Sequence, residues 1–201
     1  MGEAKSQDMG KLAVAAAANE KILSEIVGIL ETGTRRERQR AAHVLKLVAD
    51  DKPEVLLPHI ETLLKASERP EAQTRWEALE TLSLLVALDE SARDAFDAAE
   101  TSLFDEESGL ARLAAMRFMC KLGAIGEEQS EKVWPLIDEA VQCYHGDQEF
   151  QDMLLAIIDF SAGNISAEVK AQLVTRMTFD ATNGKGALKR RASQIVENAS
   201  K

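Results

Sequence analysis

The sequence predicts an all-α fold, a right-handed α-solenoid (superhelix) of stacked antiparallel helix pairs, and three observations predict it. The first is a recurring helical pattern. Around Ala115 stand Arg112 three residues before and Phe118, Met119 and Leu122 three, four and seven after, spacings that share one helix face. The same pattern surrounds Ala41 (Arg38; Val44, Leu45, Val48), Ala78 (Arg75; Thr81, Leu82, Leu85), Leu154 (Gln151; Ile157, Ile158) and Ala192 (Lys189; Ile195, Val196, Ala199). Successive anchors are 37, 37, 39 and 38 residues apart, a period that marks stacked helical repeats. The second is composition: Ala is abundant and aromatics are only 4%, so helices pack closely. The third is that no alternating β-branched run appears, which argues against a sheet.

Taken in order, residues 1–18 read as a degenerate or partly disordered N-terminal segment. Residues 1–6 fit a loose N-myristoylation pattern, for which a frayed terminus is the simpler reading, and residues 8–18 read as a helix. Residues 19–31 form a firmer helix with Ile22, Ile26, Val27 and Leu30 on one face, broken by Gly33. The first complete unit spans 34–66, with Asp51 and Pro53 marking the start of its second helix. The second spans 71–104, opened by Pro70 and turned near Asp89. The third spans 108–144, turned at 123–126. The fourth spans 147–179, turned at 163–164, with Ser166 as the expected N-cap. Residues 183–186 read as a flexible break before a capping helix in 185–201, whose Lys189, Arg190 and Arg191 supply a polar outer face. The whole is one domain, 1–201, of four to five units. Leu110, Leu113, Met116, Phe118, Met119 and Leu122, and likewise Phe150 to Phe160, predict first helices covered on all sides.

These residues resemble the HEAT/armadillo-like repeats. The match lies in the Arg-x-x-Ala openings of first helices, in Pro-Glu-Val-Leu-Leu-Pro-His-Ile-Glu-Thr-Leu-Leu at 53–64, and in Val-Trp-Pro-Leu-Ile at 133–137. Tetratricopeptide repeats, at 34 residues, lack their Trp-x-x-Leu-Gly-x-x-Tyr signature here. The resemblance implies that second helices line a concave face, and that the row Arg38, Arg75, Arg112 and Lys189 is a structural ladder bonding to the neighbouring unit.

Catalytic signals are absent from the sequence. It has no nucleophile elbow, phosphate-cradling glycine loop or zinc-ligand quartet. His43, His59 and His145 show no ligand spacing, although His43 and His59 approach each other if the first unit folds back. Two cysteines make no disulfide framework; Cys120 reads as core. No stretch reaches membrane-spanning length, and no signal peptide opens the chain. The expectation is a cytoplasmic, non-enzymatic protein without cofactor or metal, whose oligomeric state the sequence leaves open.

Charge narrows the partner. The first helices carry +4, −2, +3, −4 and +3, an alternation that breaks any basic stripe. The second helices carry −2, −2, −6, −4 and 0, so acidity gathers on their side. Aligned on Ile26, Ile60, Phe96, Ile137 and Val174, they place Glu20, Glu54, Glu90, Glu131 and Glu168 in a row near helix starts, where the helix dipole favours carboxylates. One residue after the anchor stand Glu61, Asp97 and Asp138, in mid-helix on this alignment, with Asp94 and Glu100 nearby. The expected function is a protein-interaction scaffold whose site, Glu61, Asp94, Asp97, Glu100 and Asp138, captures a basic protein partner by charge steering. A solvated surface is the plain alternative. Two further readings are a DNA-alkylation-repeat glycosylase, built on Trp76 or Trp134 with Asp138, and a lyase- or chaperone-like subunit acting on a cofactor protein. The acidic balance argues against nucleic acid.

Overall fold

Capping residues set the helix starts. Asn19 accepts hydrogen bonds from the backbone N–H groups of Lys21 and Ile22 at 3.0 and 3.3 Å, which relieves the unpaired donors of the next helix. Glu37 accepts from the backbone N–H and the hydroxyl of Thr34 at 2.9 and 2.7 Å. Ser108 and Ser166 cap their helices through Ala111 and Val169. A computed structural model describes the backbone of residues 2–201 and the side chains of residues 8–201; the side chains of the acylation pattern at 1–6 lie outside these. Among the described residues there are eleven α-helices and no strand. None of those helices is long and apolar enough to cross a membrane.

The chain divides into two compact units, Met1–Ala98 and Ala99–Lys201. The first contains α1 (Gly2–Ala18), α2 (Glu20–Thr32), α3 (Arg35–Asp51), α4 (Ile60–Ser67), α5 (Ala72–Leu85) and the start of α6 (Phe96–Leu103). In it α2 packs on α3, and α5 packs on both α3 and α4. The second contains α7 (Gly109–Gly123), α8 (Glu127–Cys143), α9 (Phe150–Ser161), α10 (Ala167–Asn183) and α11 (Gly186–Ala199). There α7 packs on α8 and α9, and α11 on α9 and α10. All five periodic anchors, Ala41, Ala78, Ala115, Leu154 and Ala192, are buried. The 37- to 39-residue period is therefore a packing period: each step returns a small or apolar residue to the next helix seam.

Several expectations are corrected. The second-helix regions of the first unit open not as α-helix but as 3-10 segments, Pro53–His59 and Glu90–Ala95, which lead into α4 and α6. Pro58 accounts for the first, since it has no N–H to donate and its ring crowds the carbonyl four residues back. No comparable residue accounts for the second. The first helices of the second unit are not covered all round: Leu110 and Leu155 are 57% and 46% exposed. The break expected at 183–186 does fall there, at residues 184–185 between α10 and α11, with Gly186 at φ +59° opening α11.

The two turns of the second unit touch. The backbone N–H of Asn164 donates to the carbonyl of Ala124 at 2.9 Å, and a Cβ placed on Gly163 would lie 2.7 Å from the Ala124 Cα. Only glycine lets the two backbones come this close.

The arginine row is structural. Arg38 donates from Nε to Glu71 Oε1 at 2.9 Å, with Nη2 on the same oxygen, and from Nη1 to the Gly33 carbonyl at 2.7 Å. Arg112 repeats this with Glu149 through Nε at 2.7 Å and Nη2, reaches the Asp105 carbonyl at 2.8 Å, and lies 4.8 Å from the Tyr144 ring centroid. Glu71 and Glu149 are the N-cap residues of α5 and α9. One first helix thus grips the carboxylate that opens the next, and the same carboxylate complements the helix dipole. Arg75 ties back to the Pro70 carbonyl, in the turn before its own helix, at 2.9 Å, and Lys189 to the Thr182 carbonyl in the last turn of α10 at 3.0 Å.

Two histidines also bridge successive repeats, His43 Nδ1 to Glu77 Oε1 at 2.8 Å and His145 Nε2 to Asp180 Oδ2 at 3.1 Å. His43 is therefore occupied with Glu77. Among the described residues no group of three or more His, Cys, Asp or Glu is placed to hold a metal. Cys120 is core, and burial pushes its thiol pKa upward.

A polar seam runs between α3 and α5. Glu71, Thr74 and Glu77 are all buried, and Glu71 Oε2, Thr74 Oγ1 and Glu77 Oε2 have no hydrogen-bond partner among the described residues. Burial pushes the Glu77 carboxyl up; His43 and Lys46 pull it back, and the net direction is upward. A raised carboxyl contributes stability below the ordinary carboxylate value and loses it as pH climbs through the raised value. Glu77→Gln should therefore match wild type in thermal melts near pH 4 and gain on it progressively towards pH 8. A melting-temperature difference that stays flat with pH would refute this.

Candidate partner-binding surface

The acidic residues singled out from sequence take up different environments. Glu61 is exposed and accepts from Lys65 Nζ at 2.7 Å, one turn on. That hydrogen bond and the lysine charge hold its carboxyl below the usual range, although so exposed a pair adds little stability. Asp94 and Asp97, in the first unit, are exposed, as is Glu100 in the second. Glu61 and Asp97 are not mid-helix as expected: each is the second residue of its α-helix, α4 and α6. The 3-10 segments cause this, because they delay the start of regular α-helix until the anchors Ile60 and Phe96. The 3-10 segments lead straight into these helices and already take the Ile60 and Phe96 backbone N–H groups, so the helix-end explanation given to the Glu row applies weakly to these two carboxylates. In that row Glu20, Glu54, Glu90 and Glu168 lie in first turns. Glu131, the fifth residue of α8, does not.

Asp138 is the exception, and α10 explains it. Arg176 stands 38 residues on and donates from Nε to Oδ1 at 2.5 Å and from Nη2 to Oδ2 at 2.8 Å. Gln142 adds a bond at 3.0 Å. The hydrogen bond that Arg176 donates to Asp138 raises the Arg176 pKa, so the guanidinium stays charged. Asp138 is half-buried and already neutralised, rather than a free surface charge.

Around this pair lies an open cleft of about 540 Å³ between α8 and α10, lined by Trp134, Asp138, Gln172, Arg176 and Phe179 among others. Trp134 forms its wall from inside. It is buried, runs parallel to Phe160 with centroids 6.5 Å apart, and donates Nε1–H to Gln172 Oε1 at 2.5 Å. Phe179 is 72% exposed. Arg176 and Phe179 were not anticipated from sequence. Phe179 had a legible signal: the buried stripe of α10 runs Val169, Leu173, Met177, Asp180, and Phe179 falls two residues from Met177, on the opposite side of the helix. The aromatic–carboxylate group nominated for a glycosylase is not assembled as that chemistry needs, because the Trp134 ring is packed against the core and Asp138 is held by Arg176.

Chemically, the cleft offers an exposed phenyl face beside a fixed, hydrogen-bonded ion pair and an amide. That combination suits a peptide side chain with an apolar stem and a polar or charged end.

No protein-family model matches the sequence, and no curated protein matches it. Solved structures do resemble it. An engineered protein aligns with TM-score 0.73 at 14% identity, over 99% of this chain and 93% of its own. A designed armadillo repeat protein in complex with the peptide (KR)4 aligns with TM-score 0.72 at 15% identity, over 96% and 92%. A computationally designed armadillo repeat protein for modular peptide recognition aligns with TM-score 0.68 at 17% identity, over 98% and 94%. At these identities the likeness establishes the fold: the chain has an armadillo/HEAT-like α-solenoid fold.

Proposed function

We propose, from this armadillo/HEAT-like fold, that the protein is a non-catalytic, cytoplasmic interaction module whose second-helix surface holds an extended basic segment of another protein. The observation that carries the reading is the α8–α10 cleft, where the exposed Phe179 stands beside Asp138 on an acidic helix. Two structural neighbours are described by their peptide recognition, one of them with alternating Lys and Arg, which supports the same class of ligand here. Glu61, Asp94, Asp97 and Glu100 attract the segment at long range, and the cleft seats one of its side chains. Asp138 holds Arg176 in place, and Phe179 takes the apolar stem of the seated side chain. Surface carboxylates act mainly on the rate of encounter, and salt screens them.

The test is binding of a synthetic peptide of alternating Lys and Arg to the full chain, read by stopped flow at low and high salt. Association should slow by at least roughly tenfold between the two salts. Asp94→Lys with Glu100→Lys should slow it similarly at low salt, with wild-type melting. Phe179→Ala should leave association alone and hasten release. Absence of binding, or rates indifferent to salt and to all three changes, would reduce the acidic surface to a solubilising one.

A further inference from the structure

The geometry points to a second, separate binding site, a cleft between α3 and α5 that takes a nucleoside monophosphate. It lies wholly in the first unit, measures about 440 Å³, and is lined by Arg36, Arg40, His43, Gln73, Trp76 and Glu77 among others. That volume falls within the range of small-ligand sites, roughly 300–1,000 Å³.

Its polar groups are sorted along its length. Arg36 and Arg40 stand one turn apart on the same face of α3, both exposed, and neither is in an ion pair among the described residues. Two guanidiniums at that spacing fit the oxygens of one phosphate. They sit in the N-terminal part of α3, where Arg35, Arg36, Arg38 and Arg40 stand with a single acidic residue, Glu37, in a chain of net charge −10; elsewhere the field repels an anion, so the basic end is selective. Trp76 lines the same cleft and is half-buried. An indole accepts a base of any identity by stacking. At the other end is Glu77, 1% exposed. One of its oxygens is taken by His43, and the other is buried with no donor.

A buried acceptor without a donor is costly, and the exocyclic N–H of a nucleobase supplies one. Arg36 and His43 are seven residues apart, about 10 Å along the helix axis at 1.5 Å per residue. That is roughly the span of a nucleoside monophosphate from phosphate to base edge. The phosphate on Arg36 and Arg40, the ring on Trp76 and an N–H on Glu77 are met together by one ligand of this class. Phosphate alone leaves Glu77 unserved, and a nucleoside alone leaves the guanidiniums unpaired. The inference does not rest on the peptide surface, which involves other helices.

Calorimetric titration of the full chain with adenosine monophosphate tests it, with adenosine and inorganic phosphate as the two halves. The expected result is one saturable site, with the monophosphate at least tenfold tighter than either half. Arg36→Gln with Arg40→Gln should weaken it at least tenfold without shifting the melt. Lys189→Gln with Arg190→Gln, a charge-matched change on α11, should leave it unchanged. No saturation at millimolar monophosphate, equal binding by inorganic phosphate, or equal loss in both double variants would overturn the assignment.

Discussion

Leu122→Asp should lower stability by about 4 kcal/mol or more, since a buried carboxylate without a partner carries a penalty of several kcal/mol beyond the lost burial. Leu122 is 3% exposed on α7, the helix that packs on both α8 and α9. The adjoining Gly123 faces the apolar side chains of Val133 and Phe160. For a chain of this size the loss should appear as a fall of roughly 10 °C in the thermal midpoint by circular dichroism. Leu122→Met, which keeps volume and polarity, should stay within about 1.5 kcal/mol of wild type. If Leu122→Asp melts with wild type, α7 is not the centre of its unit.

Gly163→Val should be the second largest effect, on the order of 2–3 kcal/mol, from overpacking rather than charge. A Cβ at 163 meets the Cβ, Cα and carbonyl oxygen of Ala124 at 2.6, 2.7 and 2.8 Å. Two of these atoms are backbone and cannot rotate away. Relief requires the two turns to separate, which breaks the Asn164–Ala124 hydrogen bond. Gly163→Ala should show most of this loss, because the first carbon added makes the collision. Hydrogen exchange at the Asn164 amide reports it directly: faster exchange in the variant with unchanged exchange in α3 locates the damage. Equal stability of Gly163→Val and wild type would mean that the turns are free to part.

Much of this architecture was legible because helix packing writes a period into the chain. Ala41, Ala78, Ala115, Leu154 and Ala192 could be aligned without a structure, and all five are buried. The arginine row was readable as structural because the alternating sign of the first helices breaks any continuous basic stripe; of its four members, Arg38 and Arg112 share a recurring carboxylate partner. Its detail was not readable, since Glu71 and Glu149 are identified only once the loops place them at the starts of α5 and α9. The site was less legible. Sequence sees Asp138 as a charge on an acidic helix, but Arg176 lies 38 residues away and its pairing is a matter of side-chain reach across a groove. Alignment places Glu61 and Asp97 in mid-helix because it assumes uninterrupted α-helix. Pro58 was the visible warning for one of the two 3-10 segments.

The grip between first helices has a consequence for how this chain can be shortened or recombined. Arg38 with Glu71, and Arg112 with Glu149, couple a basic first helix to an acidic successor. The smallest self-consistent module is thus a couplet of repeats rather than one repeat. Excision of residues 71–107 would leave the segment 32–49, of charge +4, to be followed by 108–124, of charge +3, with Arg38 deprived of its carboxylate and two like-charged helices next to each other in sequence. Removal or insertion of a couplet preserves both the sign alternation and the handshake. Lineages that lengthen this chain, and engineers who do the same, should find crossovers tolerated at even steps and rejected at odd ones.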